Sequence, residues 1–394
     1  MTTPRRLSIL GATGSVGQST LDIFRAHRDR YRLSALTAHR NGAALAKLAL
    51  ELRPEMVALA DGNGDGYRDL KTALSGSGIA VAAGRSGLLE AAACPADWTM
   101  AAIVGAAGLE ATLAATRQGG CVALANKECL VCAGPLLLRE AASAGTTLLP
   151  VDSEHNAIFQ VFDGARKQTV RRLILTASGG PFRRLDTAAM GRITVADALR
   201  HPVWQMGAKI SIDSATMMNK ALELIEAHVL FGVAAADIDI LVHPQSVIHS
   251  MVEYIDGSVL AQMAAPDMRV PILHALAWPG RMAGPVKRLD LAAIARLDFE
   301  PPDENRFPAL GLARRALAEG PAARIALNAA NEVAVAAFLE GRLDFPGIAR
   351  LVETTLDKAA ATAGPESLED ILRQDRACRL LATGLLRKGW TGTG

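Results

Sequence analysis

Residues 5–26 read RRLSILGATGSVGQSTLDIFRA. The short apolar run Arg6–Leu10 reads as a strand. It flows into Gly11-Ala12-Thr13-Gly14-Ser15-Val16-Gly17, and a helical pattern follows through about Ala26. Strand, Gly-x-x-Gly-x-x-Gly and helix in that order predict the opening of a dinucleotide-binding domain. The glycines allow a tight turn and a close backbone approach, so a pyrophosphate can sit on the helix N-terminus. A glycine-rich turn without a ligand is the alternative. The strand-like stretches Arg32–Ala38, Met56–Ala60, Ile79–Ala82, Met100–Val104 and Cys121–Ala125 alternate with helical ones, which favours a parallel α/β sheet.

Polar residues just past the strand ends fall where open α/β sheets bind ligands. The second strand ends in His39-Arg40-Asn41. An NAD site would place an acid there for the ribose 2′-hydroxyl. A cation suits a 2′-phosphate, so NADPH is expected over NADH. Cys121–Ala125 ends at Asn126-Lys127-Glu128, which either line a site or cap the next helix. A further strand, Thr146–Val151, ends in Asp152-Ser153-Glu154-His155. In extended backbone Asp152 and Glu154 point the same way and can converge on one cation. The alternative is a helix start rich in acidic capping residues. Oxygen ligands favour Mg²⁺ or Mn²⁺ over zinc. Arg172–Thr176 closes on Ala177-Ser178-Gly179-Gly180-Pro181-Phe182, an anion cradle or a plain turn.

Residues 201–228, HPVWQMGAKISIDSATMMNKALELIEAH, carry the most varied polar chemistry. The second half reads as one helix with Ser214 at its N-cap. Met217, Met218, Ala221, Leu224, Ile225 and Val229 make an apolar face. Asn219, Lys220 and Glu223 group opposite it. A helix start and an ammonium favour an anionic ligand, and Glu223 beside them calls for a cation. A solvated helix face would look the same. The preceding His201–Gly207, with Trp204, Gln205 and Met206, reads as a lid or as a loop with a buried Trp.

The chain of 394 residues carries a net charge of +2, with basic residues interspersed, so neither nucleic acid nor a membrane surface is implied. No apolar run approaches a membrane span, and the start is too short for a signal-peptide core, so a cytoplasmic enzyme is expected. The five cysteines form no paired framework, and Cys129-x-x-Cys132 reads as buried thiols. Ile238–Val242, Ser246–Tyr254 and Val259–Met263 read as strands, with Asp256-Gly257 as a hairpin signal. This sheet could extend across a dimer interface. Trp278–Pro302 is linker-like. Phe307–Ala318, Ile325–Glu340, Pro346–Ala360 and Ser367–Thr383 read as helices, and the tail KGWTGTG reads as disordered. His274, Asn328, Asn331 and Glu332 have no evident partner.

GATGSVG, ANKE, PVDSEHNAIFQ, SGGPF, HPVWQMGAKISIDSATMMNKALELIEA and HPQSVIHSMVEYIDGSVLAQM together resemble the 1-deoxy-D-xylulose 5-phosphate reductoisomerase family, in the family's order, from residue 7 to about 340. The resemblance implies a Rossmann-type NADPH domain over 1–150 and an α+β catalytic domain over 151–285, with a lid at about 200–209 and a dimer-forming sheet. A linker at 286–311 and a C-terminal helical bundle at 312–394 complete it. The likeness also implies NADPH, Mg²⁺ or Mn²⁺ (Co²⁺ is admitted), a sugar-phosphate substrate and a homodimer. Asp152, Glu154 and Glu223 match metal ligands. Ser153, Glu154, Ser178, His201, Ser214, Asn219, Lys220 and Glu223 match substrate positions, and Ser178, Ser214, Asn219 and Lys220 match its phosphate end. Lys127 lies beside the reacting centre, also among the substrate positions, and joins Asp152, Glu154, His201 and Glu223 in the catalytic set. Thr13, Gly14, Ser15, Val16, Arg40, Asn41, Asn126, Glu128 and Gly207 match dinucleotide positions, and Trp204 and Met206 belong to the lid. His39 is grouped with the dinucleotide positions too, although the family usually has Gly there. The rival readings are an ordinary NADP-dependent dehydrogenase and a dehydrogenase-like binding protein without turnover.

Overall fold

The computed structural model describes residues 4–204, 206–359 and 364–387. They form two compact units. The first holds the chain up to Cys129, Leu137–Asn156 and Asp267–Lys287; the second holds Leu130–Leu136, Ala157–Pro266 and the chain from Arg288. Gln205 and the tail Lys388–Gly394 lie outside the described residues.

The first unit is built on a parallel sheet of seven strands. They are β1 (Arg5–Leu10), β2 (Tyr31–Ala38), β3 (Met56–Leu59), β4 (Ala80–Ala83), β5 (Trp98–Ala101), β6 (Cys121–Leu124) and β7 (Thr147–Pro150). The order β4-β3-β2-β1-β5-β6-β7 reverses direction beside β1, so the ligand crevice of such a sheet opens at the carboxyl end of β1. The glycines meet their stated purpose there. Gly11 has φ +90°, and a Cβ on Gly17 would lie 2.3 Å from the Gly11 carbonyl oxygen. The helix Ser15–Ala26 starts at Gly14 with no side-chain cap, so its first N–H groups remain available to an anion.

The expected boundary near residue 285 is redrawn. The helix Arg269–Ala277 belongs to the first unit, not to the central domain. A helix ends with carbonyls that lack intrahelical donors. Here Trp98 Nε1 donates to the Ala275 carbonyl at 3.1 Å, and Arg5 Nη1 donates to the Leu276 carbonyl at 2.8 Å. Donors from β5 and β1 thus draw in a helix that arrives late in the chain.

The second unit has four strands, β8 (Val170–Ala177), β9 (Ile238–Val242), β10 (Ile248–Tyr254) and β11 (Val259–Met263), in the order β11-β10-β8-β9. β10 and β11 form the expected hairpin, with Gly257 at φ +85°. The expected linker is partly structured: Glu300 pairs with Val242 through two backbone bonds of 2.9 Å, and Leu291–Ile294 is a short helix. Helices Ala309–Glu319, Pro321–Leu339, Phe345–Lys358 and Leu368–Arg387 follow, close to their expected positions. Pro321–Leu339 is long and apolar enough to cross a membrane, but 72% of its apolar window is buried among its neighbours. None of the five cysteines forms a disulfide, and Cys129 and Cys132 are buried as expected.

Gly17→Ala should cost about 1–3 kcal/mol, because its methyl group would press on backbone that cannot swing aside. Urea unfolding of the full chain, followed by circular dichroism, measures this.

Candidate active site

In the first unit, Asn126 is the N-cap of the helix Lys127–Ala144 and its Oδ1 accepts from the Cys129 N–H at 2.9 Å. Its Nδ2 donates to the Ile103 and Gly105 carbonyls. The capping alternative therefore holds for the Asn126 side chain, which locks the β5 and β6 ends together. Lys127, next along, is turned inward. Its ammonium sits 2.7 Å from Asp152 Oδ2, with the two side chains 7% and 10% exposed. Asp152 Oδ1 is 3.2 Å from His155 Nδ1. Burial would raise the Asp152 carboxyl, but Lys127 and His155 overcome it and hold the group well below the usual carboxylate range. It is a carboxylate at neutral pH.

The extended-backbone expectation for Asp152–Glu154 is corrected. The helix Ser153–Val161 starts immediately after Asp152, so Glu154 lies in its first turn. The Glu154 N–H lies 3.3 Å from Asp152 Oδ1, in the manner of a cap, and Ser153 Oγ donates to Glu154 Oε2 at 2.5 Å. A helix start orients both carboxylates here, where pleat alternation was expected to do so. At the end of β2, His39 and Arg40 are exposed, and Arg40 Nε reaches Asp61 Oδ2 at 3.2 Å. Asn41 caps the helix Gly42–Leu52 through the Ala44 N–H. Thr13, Gly14, Ser15 and Val16 form the turn and first residues of the helix after β1.

In the second unit, Ser178 follows β8 and pairs with His201 Nε2 at 3.0 Å. His201 Nδ1 accepts from the backbone N–H groups of Val203 and Trp204, at 3.2 and 2.9 Å. Those groups only donate, so the ring proton sits on Nε2 and is given to Ser178. Burial lowers the His201 pKa, consistent with a neutral ring. Gly180 (φ +67°) lets this turn approach the Ser214 carbonyl so closely that a Cβ would lie 2.8 Å from that oxygen. Trp204, expected to belong to a lid, makes partial contact with the sheet. Trp204 lies 6.1 Å, ring to ring, from His249 on β10, and Met206 is half-buried.

The single helix expected with Ser214 as its N-cap is two helices. Ala208–Ala215 begins after Gly207, and Met218–Phe231 begins after Met217. Met217 is left-handed at φ +62°, and the Thr216 hydroxyl folds back onto the Ile212 and Asp213 carbonyls. That break places Ser214 in the last turn of the first helix. Nor is the Asn219 side of the second helix a solvated face. Lys220 is 3% exposed and Glu223 is fully buried. Lys220 pairs with Glu223 Oε2, and Asn219 Nδ2 donates to Glu223 Oε1 at 2.5 Å.

Sequence reasoning missed four supporting residues. Asp213, 1% exposed, takes Lys209 Nζ at 2.8 Å on one oxygen and Asn331 Nδ2 at 2.8 Å on the other. The Lys209–Asp213 spacing of one helical turn is a local signal that could have found the first contact. Asn331 lies 118 residues away and has none. His155 sat inside a quoted motif without a role. Glu332, left without a partner on sequence grounds, pairs with Arg379 at 2.8 Å and with Asn328 at 2.9 Å.

Both units thus bury acids whose charge is met by an ammonium group, and both offer oxygen donors of the hard type that suits Mg²⁺ or Mn²⁺. With the glycine turn under a parallel sheet, these features define an α/β oxidoreductase that uses a dinucleotide. Family models described as 1-deoxy-D-xylulose 5-phosphate reductoisomerase, its C-terminal domain, and the DXP reductoisomerase C-terminal domain match residues 7–134, 148–231 and 263–381. A 1-deoxy-D-xylulose 5-phosphate reductoisomerase from Rhodospirillum centenum is 58% identical, over 98% of this chain and 95% of its own. The Zymomonas mobilis reductoisomerase solved with NADPH is 54% identical, with a TM-score of 0.90, over 98% of this chain and 99% of its own. A DOX-P reductoisomerase solved with NADPH, fosmidomycin and magnesium is 44% identical, with a TM-score of 0.94, over 99% of this chain and 100% of its own. The chain belongs to the 1-deoxy-D-xylulose 5-phosphate reductoisomerase family.

His249 is 5% exposed, and burial pushes its pKa down from 6.5 to about 4, with Lys220 and His243 adding to the effect and the Ala264 and Ala265 backbone opposing it. The unfolded chain therefore takes up this proton more readily than the folded one. The stabilisation is complete above the unfolded value and is lost as pH falls from 6.5 toward 4. Between pH 7 and pH 4, wild type should lose about 3 kcal/mol more unfolding free energy than His249→Gln. Urea titrations of both proteins at the two pH values measure the difference.

Proposed function

We propose that this chain isomerises 1-deoxy-D-xylulose 5-phosphate and reduces the product to 2-C-methyl-D-erythritol 4-phosphate, with NADPH and a divalent cation. The full-length likeness to a reductoisomerase solved with NADPH, fosmidomycin and magnesium carries this reading. In it, Asp152, Glu154 and Glu223 serve one cation, Mg²⁺ or Mn²⁺, with Co²⁺ as a substitute. The buried, ionised state of Asp152 supports that role. NADPH supplies the hydride. The cation, when bound, supplies positive charge for oxygen atoms that become anionic as the carbon skeleton rearranges.

The chain's own groups do the rest. Lys127, held by Asp152, adds a fixed ammonium at the reacting end. Ser153 and Glu154 orient substrate oxygen atoms. Ser178, Ser214, Asn219 and Lys220 hold the phosphate, anchoring a part of the substrate that does not react and so orienting the part that does. His201 fixes the Ser178 hydroxyl by donating to it, which leaves that hydroxyl free to donate onward to an anion. Residues 201–207, with Trp204 and Met206, close over the site and exclude water. Thr13, Gly14, Ser15 and Val16 receive the pyrophosphate, and His39, Arg40 and Asn41 receive the 2′-phosphate. Asn126, Glu128 and Gly207 complete the dinucleotide site, Asn126 by holding the β5 and β6 ends.

We also assign the enzyme to a homodimer and to the cytoplasm. The edge strand β11 supports the first, since Val259 and Leu260 are 47% and 48% exposed on a strand with one open side. Free cysteines fit the second.

NADPH oxidation in the presence of 1-deoxy-D-xylulose 5-phosphate should cease in excess EDTA and return with Mg²⁺. Full activity after chelation points to an ordinary dehydrogenase. Glu223→Gln should lose mainly kcat, about a hundredfold, in saturating Mg²⁺; an unchanged kcat removes it from the ligand set. Arg40→Leu should raise the NADPH KM about tenfold or more and leave the NADH KM nearly unchanged, because a charge-assisted bond to phosphate is lost. Steady-state kinetics with both cofactors measure this.

A further inference from the structure

Asn156 is 1% exposed and lies two residues beyond Glu154, in the first turn of Ser153–Val161. Its backbone N–H closes a 2.8 Å bond to the Asp152 carbonyl. Its Nδ2 donates to the Pro150 carbonyl at 2.8 Å and lies 3.1 Å from His274 Nδ1. The Pro150 oxygen can only accept, so the amide nitrogen, not the amide oxygen, faces it. The same nitrogen faces His274, whose Nδ1 must then be the bare acceptor, with the ring proton on Nε2. Burial, assisted by Arg281, lowers the His274 pKa to about 4, which agrees with that tautomer.

His274 itself stands on a fastened element. It belongs to the helix Arg269–Ala277, whose last carbonyls are held by Trp98 on β5 and Arg5 on β1. A continuous set of hydrogen bonds therefore runs within the first unit. It leads from the centre of the parallel sheet through this helix to His274, then to Asn156, and on to the two backbone carbonyls flanking Val151.

We propose that His274 is a positioning residue: the Nδ1 acceptor holds Asn156, Asn156 holds the junction between β7 and the helix that follows, and that junction sets the affinity of Asp152 and Glu154 for a divalent cation. The inference rests on the cation reading given under Proposed function. Partners that orient ligands from behind alter metal affinity about tenfold or more when removed. His274 touches neither substrate nor reacting atoms in this account.

The test is Mn²⁺ binding to the full chain without substrate, followed by the electron paramagnetic resonance signal of free Mn²⁺. NADPH affinity and the Tm are measured on the same samples. His274→Leu should weaken Mn²⁺ about tenfold while NADPH affinity holds. His274→Asn, whose amide oxygen stands near the place of Nδ1, should restore Mn²⁺ binding close to wild type. The double variant Asn156→Ala with His274→Leu should bind Mn²⁺ no more weakly than Asn156→Ala alone. The inference is overturned if His274→Leu binds Mn²⁺ as wild type does. It is equally overturned if His274→Asn is as weak as His274→Leu, or if Mn²⁺ and NADPH affinity and the Tm all fall together. Asp152→Asn is titrated alongside. If it binds Mn²⁺ normally, the cation reading itself fails; if it is impaired and His274→Leu is not, only the positioning role falls.

Discussion

The Lys127 ammonium and the Asp152 carboxylate lie 2.7 Å apart with almost no water on either. Lys220 and Glu223 repeat the arrangement in the second unit, on one turn of one helix. A carboxylate taken out of water needs a counter-charge, and removing one member of such a buried pair costs about 3–5 kcal/mol. Much of the surrounding structure exists to keep these pairs where they are. Asn126 ties the β5 and β6 ends, His155 takes the second oxygen of Asp152, and Asn219 takes the second oxygen of Glu223. The same acids that must be paired when buried carry oxygen atoms of the kind that suits a hard cation.

Each unit also has a fastening that reaches far along the chain. In the first, Arg5 and Trp98 hold the late helix Arg269–Ala277 by its end carbonyls. In the second, Asn331 reaches Asp213, so the C-terminal helices support the helix Ala208–Ala215. In both units a polar side chain satisfies a group that would otherwise be costly to bury. The C-terminal helices are therefore part of the second unit's scaffold and not an appendage to it.

How much of this could be read from the chain follows from the range of each interaction. β1, the glycine turn and its helix were legible, because period, turn chemistry and capping act within a few residues. The strand ends bearing Arg40, Asn126, Asp152 and Ser178 were legible for the same reason. The break at Met217 was not. A left-handed Met has no propensity signature, and the apolar spacing runs through it unchanged. The helical start at Asp152 was legible only as one of two alternatives, since Asp and Glu suit both a cap and a cation.

By itself, then, the sequence determined the parallel dinucleotide sheet and the family, and it singled out the acids, amides and ammonium groups that are candidates for the site, because local pattern and motif identity are written in neighbouring residues. Tertiary structure alone decided that Lys220 and Glu223 are buried and not solvated. It also decided that Asp213 answers to Asn331, that Asn156 answers to His274, and that residues 267–287 return to the first unit. Burial and the choice of a distant hydrogen-bond partner are settled by what packs overhead, and no window of the chain contains that information.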